Sequence, residues 1–469
     1  MRRAILAFVL PSALAFFGAL ASAGVTPASP QSTVPASPSS SQAGRPPANS
    51  TSDSASTSTG TKPDSQSVLA AADAILSDMS RITGLAIKAQ VKKQIVSRTE
   101  VEQYLADNVH SEYTAAEMHA EEASLKAFGL VPADFNLERF LVRFYTEQAA
   151  GFYDPRRKTM FIADWVEPEQ QKLVLAHELT HALQDQSFDL EKYEFAERGN
   201  DDATAARQAV VEGYATAAMM QELMPGMDLA SLPEIRPLME QMVGQQMKQF
   251  PVFSQAPFFF RFQALFPYAA GLSFMQKGLQ LGGWKKLNLL FAQPPETTRE
   301  IFQPEAYFEP GSPAATPDTA KPEMTLPHPT ALAGLAHFRL VEDNAMGELG
   351  YYGLLGQLIS EDEAKRVAPQ WRADRYLVYE NPDSRTYLLV ARTRWASADM
   401  ALDFFRDYRT LLGKKYPDLT PSPHATSNEF TGATASGQVI VLRRGDEVVW
   451  AECVPASQTE AMLDFLRSL

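Results

Sequence analysis

Cysteine is almost absent from this chain, in which Cys453 is the single example among 469 residues. No disulfide can form within the chain, so a protein of this size must be stabilised by its hydrophobic core. Cys453 lies in the apolar stretch of residues 448–454, which predicts a buried and unreactive thiol. The shortage of cysteine therefore excludes a disulfide-rich scaffold.

Positive charge is also in short supply. Lys and Arg number 42 against 56 Asp and Glu, which gives a formal net charge of −14. This balance argues against nucleic acid or an anionic membrane as a partner. It is typical of an exported protein that stays in solution, and it says nothing about a reaction.

The start of the chain has the pattern of a secretory signal. Arg2 and Arg3 precede an apolar run over residues 4–20, and Ala21-Ser22-Ala23 forms an A-x-A cleavage site. No stop-transfer pattern follows it. We therefore predict a cleavable signal peptide over residues 1–23, a secreted or periplasmic location and no transmembrane anchor after cleavage. The alternative is an uncleaved N-terminal helix.

Apolar residues become scarce between residues 24 and 66, where Ser, Thr, Pro, Ala and Gly dominate. Such a segment cannot bury enough apolar surface to offset the ordering of the chain, so we predict a disordered tether over 24–66. A second stretch rich in Pro, Ala and Thr predicts a linker over 311–330. These boundaries leave two domains, at 67–310 and at 331–469.

Histidine is scarce, with 7 residues in the chain, yet two of them lie in His177-Glu178-Leu179-Thr180-His181. Pro168, flanked by acidic residues, predicts a helix start, and at roughly 100° per residue the two imidazoles project from one face, one turn apart. They can bind one divalent metal. Glu178 points to the side, where it can accept a proton from a water at an open coordination position.

The alternative to a metal site is a pair of surface histidines on an amphipathic helix. With so few histidines, chance would produce this pentapeptide on the order of 0.01 times in such a chain. A broad apolar surface surrounds the motif in sequence, which indicates a buried helix. Burying His and Glu side chains costs free energy unless they have a partner, and a bound metal would be such a partner.

The segment AHELTHALQD resembles the active-site helix of the zincin metallopeptidases, and within them the thermolysin-like, gluzincin type. The metzincin pattern is not met, because Gln184 and Ser187 stand where it needs Gly and a third His. The resemblance implies Zn²⁺ as cofactor and a Glu from a downstream helix as third ligand, for which Glu212 is the best candidate. It also implies that Asp185 orients His181.

The match to the thermolysin-like pattern is incomplete around Glu212. Val211 and Thr216 stand where that pattern has Asn and Asp. The whole chain is more similar to a poorly characterised group of secreted bacterial metallopeptidase-like proteins, which share HELTHALQDQ and a Glu-Gly segment.

Residues 151–164 have the pattern of strand, turn and strand, directly before the predicted helix that carries His177 and His181. In zincins the strand before that helix is a sheet edge that pairs with an extended substrate. The resemblance therefore assigns this role to Met160–Ala163. An ordinary core hairpin is the alternative.

Zincin chemistry also needs a donor to the oxyanion that forms during the reaction. The candidates are Tyr214, Tyr268, His328 and His337; the sequence does not rank them, and we choose Tyr268. Glu348 is a further candidate for the cleft, with a surface position as the alternative. His110 and His119 lie in a polar segment, which indicates solvated helix residues.

Periodicity predicts an α+β fold. Residues 68–128, 137–144, 212–291 and 331–360 have helical patterns, and the later region adds strands at 376–380, 386–395, 438–443 and 447–453 with helices at 398–412 and 458–467. We predict a mostly helical zincin-like domain with a small mixed sheet beside the HExxH helix. A C-terminal α+β lobe follows, with its helices on one face of a sheet.

Two functions from different classes remain at this stage. The first is a secreted zinc peptidase that acts on a peptide or protein, with residues 67–150 able to cover the cleft before activation. The second is a non-catalytic exported binding or envelope protein with a structural zinc on a zincin-like scaffold. The oligomeric state, the cleavage specificity and the choice between endo- and exopeptidase are open.

Overall fold

The computed structural model describes residues 65–197, 199–311, 324–329, 332–423 and 426–469. The predicted signal peptide, nearly all of the tether and most of the 311–330 linker lie outside the described residues. Helices and two separate sheets make up an α+β fold, as predicted. Within the described ranges, no helix combines the length and the apolar character needed to cross a membrane.

The first sheet and its helices occupy residues 65–311. The helices are α1 (Ser65–Thr83), α2 (Arg98–Glu112), α3 (Ala115–Ala127), α4 (Leu137–Gln148), α5 (Pro168–Phe188), α6 (Leu190–Glu194), α7 (Asp201–Leu223), α8 (Arg236–Gln246), α9 (Pro251–Gln255), α10 (Phe258–Asn288), α11 (Thr298–Phe302) and α12 (Pro304–Phe308). The strands are β1 (Lys92–Val96), β2 (Gly151–Asp154) and β3 (Thr159–Ala163).

These strands form a small mixed sheet in the order β1-β3-β2. The pairing of β3 is parallel with β1 and antiparallel with β2, so β3 lies in the centre. The prediction that Met160–Ala163 forms the sheet edge was therefore wrong. Strand β1 also lies inside the stretch 68–128, for which periodicity predicts helix. Its partner β3 is more than 60 residues further along the chain, so the sequence around β1 carries no local signal of this pairing.

Helix α5, which carries the HExxH motif, packs directly on the edge strand β2. Gly151 makes this approach possible, because a Cβ at that position would lie 2.5 Å from Val174 Cγ1. Leu175, Leu179 and Leu183 are completely buried on the same helix. The helix ends at Asp189, which adopts a left-handed conformation with φ of 61°.

Helix α7 crosses α10 at two glycines. A Cβ on Gly213 would lie 2.4 Å from the carbonyl carbon of Gly271, and a Cβ on Gly271 would lie 2.5 Å from the carbonyl oxygen of Ala209. The two backbones are therefore in contact, which a side chain at either position would prevent. This contact fixes Glu212 on α7 relative to Tyr268 on α10.

The C-terminal part, residues 332–469, is built on the second sheet. Its strands are β4 (Arg339–Asn344), β5 (Trp371–Glu380), β6 (Tyr387–Trp395), β7 (Thr420–Pro421), β8 (Glu429–Thr434), β9 (Gly437–Arg444) and β10 (Glu447–Val454), in the antiparallel order β4-β5-β6-β10-β9-β8-β7. Its helices are α13 (Gly347–Leu358), α14 (Glu361–Val367), α15 (Ala398–Lys415) and α16 (Thr459–Ser468).

Helices cover both faces of this sheet, so the prediction of helices on one face was wrong. Phe404 of α15 belongs to the same apolar cluster as Val441 and Trp450. Met462 of α16 packs instead with the alternate residues Ile440 and Ala451, which point to the opposite face. The segment at 331–360 was also predicted to be helical throughout, whereas it contains β4, an edge strand whose partner is distant in sequence.

Candidate metal centre

The two histidines of α5 and the glutamate of α7 converge. The Nε2 atoms of His177 and His181 are 3.0 Å apart, and Glu212 Oε2 lies 3.1 Å from the first and 3.5 Å from the second. In the described part of the chain, these three residues are the one group of His, Cys, Asp or Glu found with metal-binding geometry. The side chains predicted as ligands are thus brought together from two helices, with Glu212 lying 31 positions after His181.

The unsatisfied atoms of this cluster fit a cation. Glu212 Oε1 is buried and makes no hydrogen bond with any described residue. Three groups that can offer lone pairs, one of them an anion, face a common point, and the Tyr268 hydroxyl is a neighbouring side-chain donor to Glu212. A divalent cation neutralises such an arrangement, and His-His-Glu is a ligand set typical of zinc hydrolases.

Gln184 holds His181 in orientation. Its Oε1 accepts from His181 Nδ1 at 2.8 Å, and its Nε2 donates to the carbonyl oxygen of Val211 at 3.0 Å. The Val211 carbonyl can only accept, so it fixes which end of the amide faces the imidazole. His181 Nδ1 must therefore carry a proton, which in the neutral ring leaves the lone pair of Nε2 directed towards the cluster.

Asp185 does not orient His181, contrary to the prediction. Its Oδ2 accepts from the Tyr153 hydroxyl at 2.8 Å and from Lys158 Nζ at 2.7 Å. Because Asp185 follows Gln184, it projects about 100° further around the helix, away from the imidazole. Its contacts join α5 to the hairpin of β2 and β3.

Glu178 stands apart from the three converging residues. Its Oε2 accepts from the backbone N–H of Tyr153 at 2.9 Å, so the edge strand β2 holds the carboxylate in place. Burial raises the pKa of Glu178 to about 8; His181 lowers it, and the Glu212 carboxylate raises it. The carboxyl group is thus positioned beside the cluster without belonging to it.

The charges inside the cluster balance one another. Burial lowers the pKa of His177, and the hydrogen bond with Glu212 opposes this effect. For His181, burial also acts downward, but the Glu212 and Glu178 carboxylates raise its pKa to about 9. Burial opposes ionisation of Glu212, yet the two imidazoles hold its pKa at about 2. Without a metal, the cluster therefore retains a proton that a cation would replace.

Tyr268 lies against this cluster. Its ring centroid is 6.1 Å from that of His177, and the side chain is buried. Burial, followed by the nearby Glu212 and Glu178 carboxylates, raises the pKa of its phenol well above 10. The hydroxyl therefore stays protonated and able to donate.

The other candidate donors are engaged elsewhere. The Tyr214 hydroxyl donates to Asn288 Oδ1 at 2.6 Å, and His328 Nδ1 lies 2.7 Å from the Tyr379 hydroxyl in the C-terminal part. The His337 ring lies 4.8 Å from that of Phe338 and is tilted by 56° to it. Glu348 is buried, not exposed, and accepts from Gln303 Nε2 at 3.0 Å.

Two other sequence predictions concern single residues. His119 Nε2 lies 3.2 Å from Glu380 Oε2, with the His119 side chain 38% exposed, and the His110 side chain lies outside the described residues. Cys453 is partly buried, 3.3 Å from the Tyr416 hydroxyl, and burial raises the pKa of its thiol. A raised thiol pKa opposes thiolate formation, as expected for an unreactive cysteine.

Sequence reasoning missed Gln184 and Tyr153. Gln184 follows His181 by three positions, so a helical wheel could have placed it on the same face. The role of Tyr153 has no such signal in the sequence. Its backbone N–H binds Glu178 and its hydroxyl binds Asp185, and both contacts join residues that are far apart in the chain.

The chain was compared with known proteins. Residues 135–234 match the model of the IrrE N-terminal-like domain (Peptidase M78), and residues 337–463 match a domain of unknown function (DUF8575). Neither the search of curated proteins nor that of solved structures found a match. The first range contains His177, Glu178, His181 and Glu212. This range is therefore similar to a zincin-like, peptidase-related domain, and the match does not extend to the thermolysin-like type or to the secreted group.

Proposed function

We propose that this protein is an exported zinc-dependent peptidase. The observation that carries the proposal is the separation of roles at the site. His177, His181 and Glu212 converge on one point, whereas Glu178 is held beside them by a backbone N–H. Three protein ligands and a free carboxylate form the arrangement of a catalytic zinc site, because a structural site normally has four protein ligands.

Zn²⁺ is the cofactor that this ligand set favours, and when bound it would lower the pKa of a coordinated water towards about 7 and polarise a carbonyl group. Gln184 would keep the lone pair of His181 Nε2 available to such an ion. The positive charge of a bound ion would favour the ionised carboxylate of the buried Glu178.

The remaining steps belong to side chains of this chain. Glu178 accepts a proton from the attacking water through the oxygen that does not bind Tyr153, and then delivers it to the amine that leaves. The Tyr268 hydroxyl donates a hydrogen bond to the oxyanion of the attacked carbonyl. The substrate in this proposal is a peptide or a protein.

Export is part of the proposal and rests on the pattern of residues 1–23. N-terminal sequencing of protein recovered from the periplasm or the medium should give Gly24 as the first residue. An N-terminus at Met1 would contradict it.

The decisive experiment measures casein cleavage by the purified protein with bound zinc, after chelation and after zinc is restored. We expect chelator-sensitive cleavage, and Glu178→Gln should retain one zinc per chain while losing at least about 10²-fold in rate, since general-base catalysis contributes that much. Normal turnover by Glu178→Gln would exclude the mechanism.

A structural zinc on a non-catalytic binding protein is the rival function. One observation favours it, namely that the side chains of His177, His181 and Glu212 are only 1–4% exposed. In that case chelation would unfold the protein, and no casein cleavage would be seen at any zinc concentration.

A further inference from the structure

A small cavity lies between helices of the region 65–311 and the C-terminal part of the chain. Its walls come from α3, α7 and α10 on one side and from α13 and β5 on the other, and include Leu125, Phe266, Leu349 and Tyr376. It offers about 50 Å³ of space that a water molecule can enter. The zincin-like domain and the C-terminal part thus build this cavity together.

The cavity begins close to the candidate metal centre. Gln208 lines it and precedes Glu212 by four residues on α7, so the two side chains lie on the same helix face, roughly 6 Å apart along the axis. Pro267 also lines it and is the neighbour of Tyr268 on α10. One end of the cavity is therefore a single helical turn from a predicted zinc ligand.

Gln208 presents an unused donor to this space. Its side chain is 6% exposed, and its Nε2 makes no hydrogen bond with any described residue. A buried amide donor without a partner is costly unless a ligand or water completes it. The carbonyl oxygen of a peptide backbone is an acceptor that suits it.

The remaining lining defines which side chain fits. It is mostly apolar, and its charged residues, Glu121 and Asp201, are both acidic; no Lys or Arg from the described ranges faces the space. An anionic side chain is therefore excluded. At about 10–15 Å³ for each water-sized group, the volume holds roughly four non-hydrogen atoms, which corresponds to a Val or Leu side chain.

We propose that this cavity binds a branched aliphatic side chain of the peptide substrate, at a residue adjacent to the hydrolysed bond, while Gln208 Nε2 donates to the backbone carbonyl of that residue. The inference rests on the proposed peptidase function and adds a substrate class to it. It also gives the C-terminal part a role, since Leu349 and Tyr376 form the wall that limits the size of the side chain.

The test measures binding separately from turnover. Ac-Ala-Ala-Leu-Ala-Ala-NH2 and the peptide with Phe in place of Leu are titrated into the zinc-loaded Glu178→Gln chain, with saturation-transfer NMR as the readout. We expect the Leu peptide to bind about 10-fold more tightly, the selectivity typical of an apolar pocket for small differences in side-chain size. Equal affinities, or no binding of either peptide, would overturn the proposal.

Variants in α13 and α7 test whether the preference for Leu over Phe arises in this cavity. Leu349→Ala removes a wall residue and should reverse the preference towards Phe, and the milder Leu349→Val should reduce it if the Ala variant is poorly folded. Gln208→Leu should weaken both peptides by a similar factor, because the backbone carbonyl is common to them. Leu355→Ala is the matched control, since Leu355 is fully buried on the same helix and does not line the cavity.

The outcomes separate this inference from the function on which it rests. Chelator-sensitive casein cleavage with no Leu preference would overturn the cavity assignment alone. Leu-selective binding that depends on Leu349, without hydrolysis by the wild-type chain, would overturn the peptidase instead. An unchanged preference in Leu349→Ala and Leu349→Val would assign the selectivity to another part of the protein.

Discussion

Gln184 is the residue that joins the two halves of the candidate metal centre. One amide accepts from His181 on α5 and donates to the Val211 carbonyl on α7, the residue before Glu212. It therefore fixes the tautomer of His181 and the distance between the two helices at the same time. Neither task is visible in the HExxH motif.

We expect Gln184→Leu to weaken zinc binding about 10- to 100-fold, the loss typical of removing an outer-shell partner. The measurement is competition with a zinc chelator, supported by the ¹⁵N shifts of His181, which report loss of the Nδ1–H tautomer. Gln186→Leu is the control, because Gln186 bonds to Lys88 and Ala89, remote from the site. Unchanged affinity in Gln184→Leu would contradict this role.

Asp202 sits at the start of the helix that carries Glu212. Its Oδ1 accepts from the Thr298 N–H at 2.8 Å, and burial raises its pKa to about 7; the Thr298 bonds act in the opposite direction, and Asp374 and Glu300 add to the rise. Glu348, from α13, is a further acidic neighbour whose pKa is raised by burial to about 8. The start of α7 is thus packed among buried acids.

The raised pKa of Asp202 makes folding stability depend on pH. A carboxyl group with a folded pKa near 7 and an unfolded pKa of about 3.9 contributes stability that is complete below pH 4 and lost as pH rises through 7. Asp202→Asn removes this loss. Its free energy of unfolding should therefore gain on that of the wild type by about 1–4 kcal/mol between pH 4 and pH 8.

Denaturant unfolding at several pH values measures that difference. Asp464→Asn is the control, since it makes the same substitution at a side chain that is 77% exposed instead of buried. A constant difference between Asp202→Asn and the wild type would show that Asp202 is not protonated in the folded protein.

At the scale of helices, the crossing of α7 and α10 sets the site geometry. Gly213 and Gly271 let the two backbones touch, one residue from Glu212 and three from Tyr268. Elsewhere a helical glycine costs stability, so its presence here follows from the packing. The crossing brings a predicted ligand and a predicted donor into the same space.

Gly271→Ala should force the helices apart, because the new Cβ would meet the Ala209 carbonyl oxygen at 2.5 Å. We expect a loss of about 1–3 kcal/mol in unfolding free energy, as for other overpacked sites. Zinc affinity should also fall, although no ligand is altered. Gly244→Ala on α8 provides the control, since its Cβ would meet nothing within 4 Å and the helix should gain slightly. Wild-type affinity in Gly271→Ala would refute the crossing as a determinant of the site.

At the scale of the molecule, the two sheets share one apolar cluster, which runs from Ala72 to Trp450. Polar contacts cross the same boundary. The Asp201 N–H donates to Asn344 Oδ1 at 2.9 Å, and Gln357 Nε2 donates to the Leu130 carbonyl at 2.7 Å. The C-terminal part therefore supports the helix that carries Glu212.

Calorimetry should show one unfolding transition for the whole chain. Zinc that binds the folded state should raise the temperature of the whole transition. At a free zinc concentration of 100 times the dissociation constant, the free energy of unfolding should increase by about 2.7 kcal/mol. Two transitions, of which zinc shifts only one, would show that the parts unfold independently. Zinc-loaded Gln184→Leu gives the matched comparison, since its smaller shift should again involve the complete transition.

By itself, the sequence determined the local arrangement of the candidate metal site. A turn of helix puts His177 and His181 on one face by its own geometry, and the scarcity of histidine makes the motif informative. Glu212 could be proposed from the resemblance, and the α+β class from periodicity. All of these depend on spacing along the chain.

Only the tertiary structure decided which groups meet across elements. The central place of β3, the helices on both faces of the second sheet and the amide bridge of Gln184 depend on pairings between residues far apart in the chain. The contact of two glycine backbones and the cavity shared with α13 have the same origin. Such contacts arise from packing, in which many local patterns are compatible with several partners, so no stretch of sequence carries them alone.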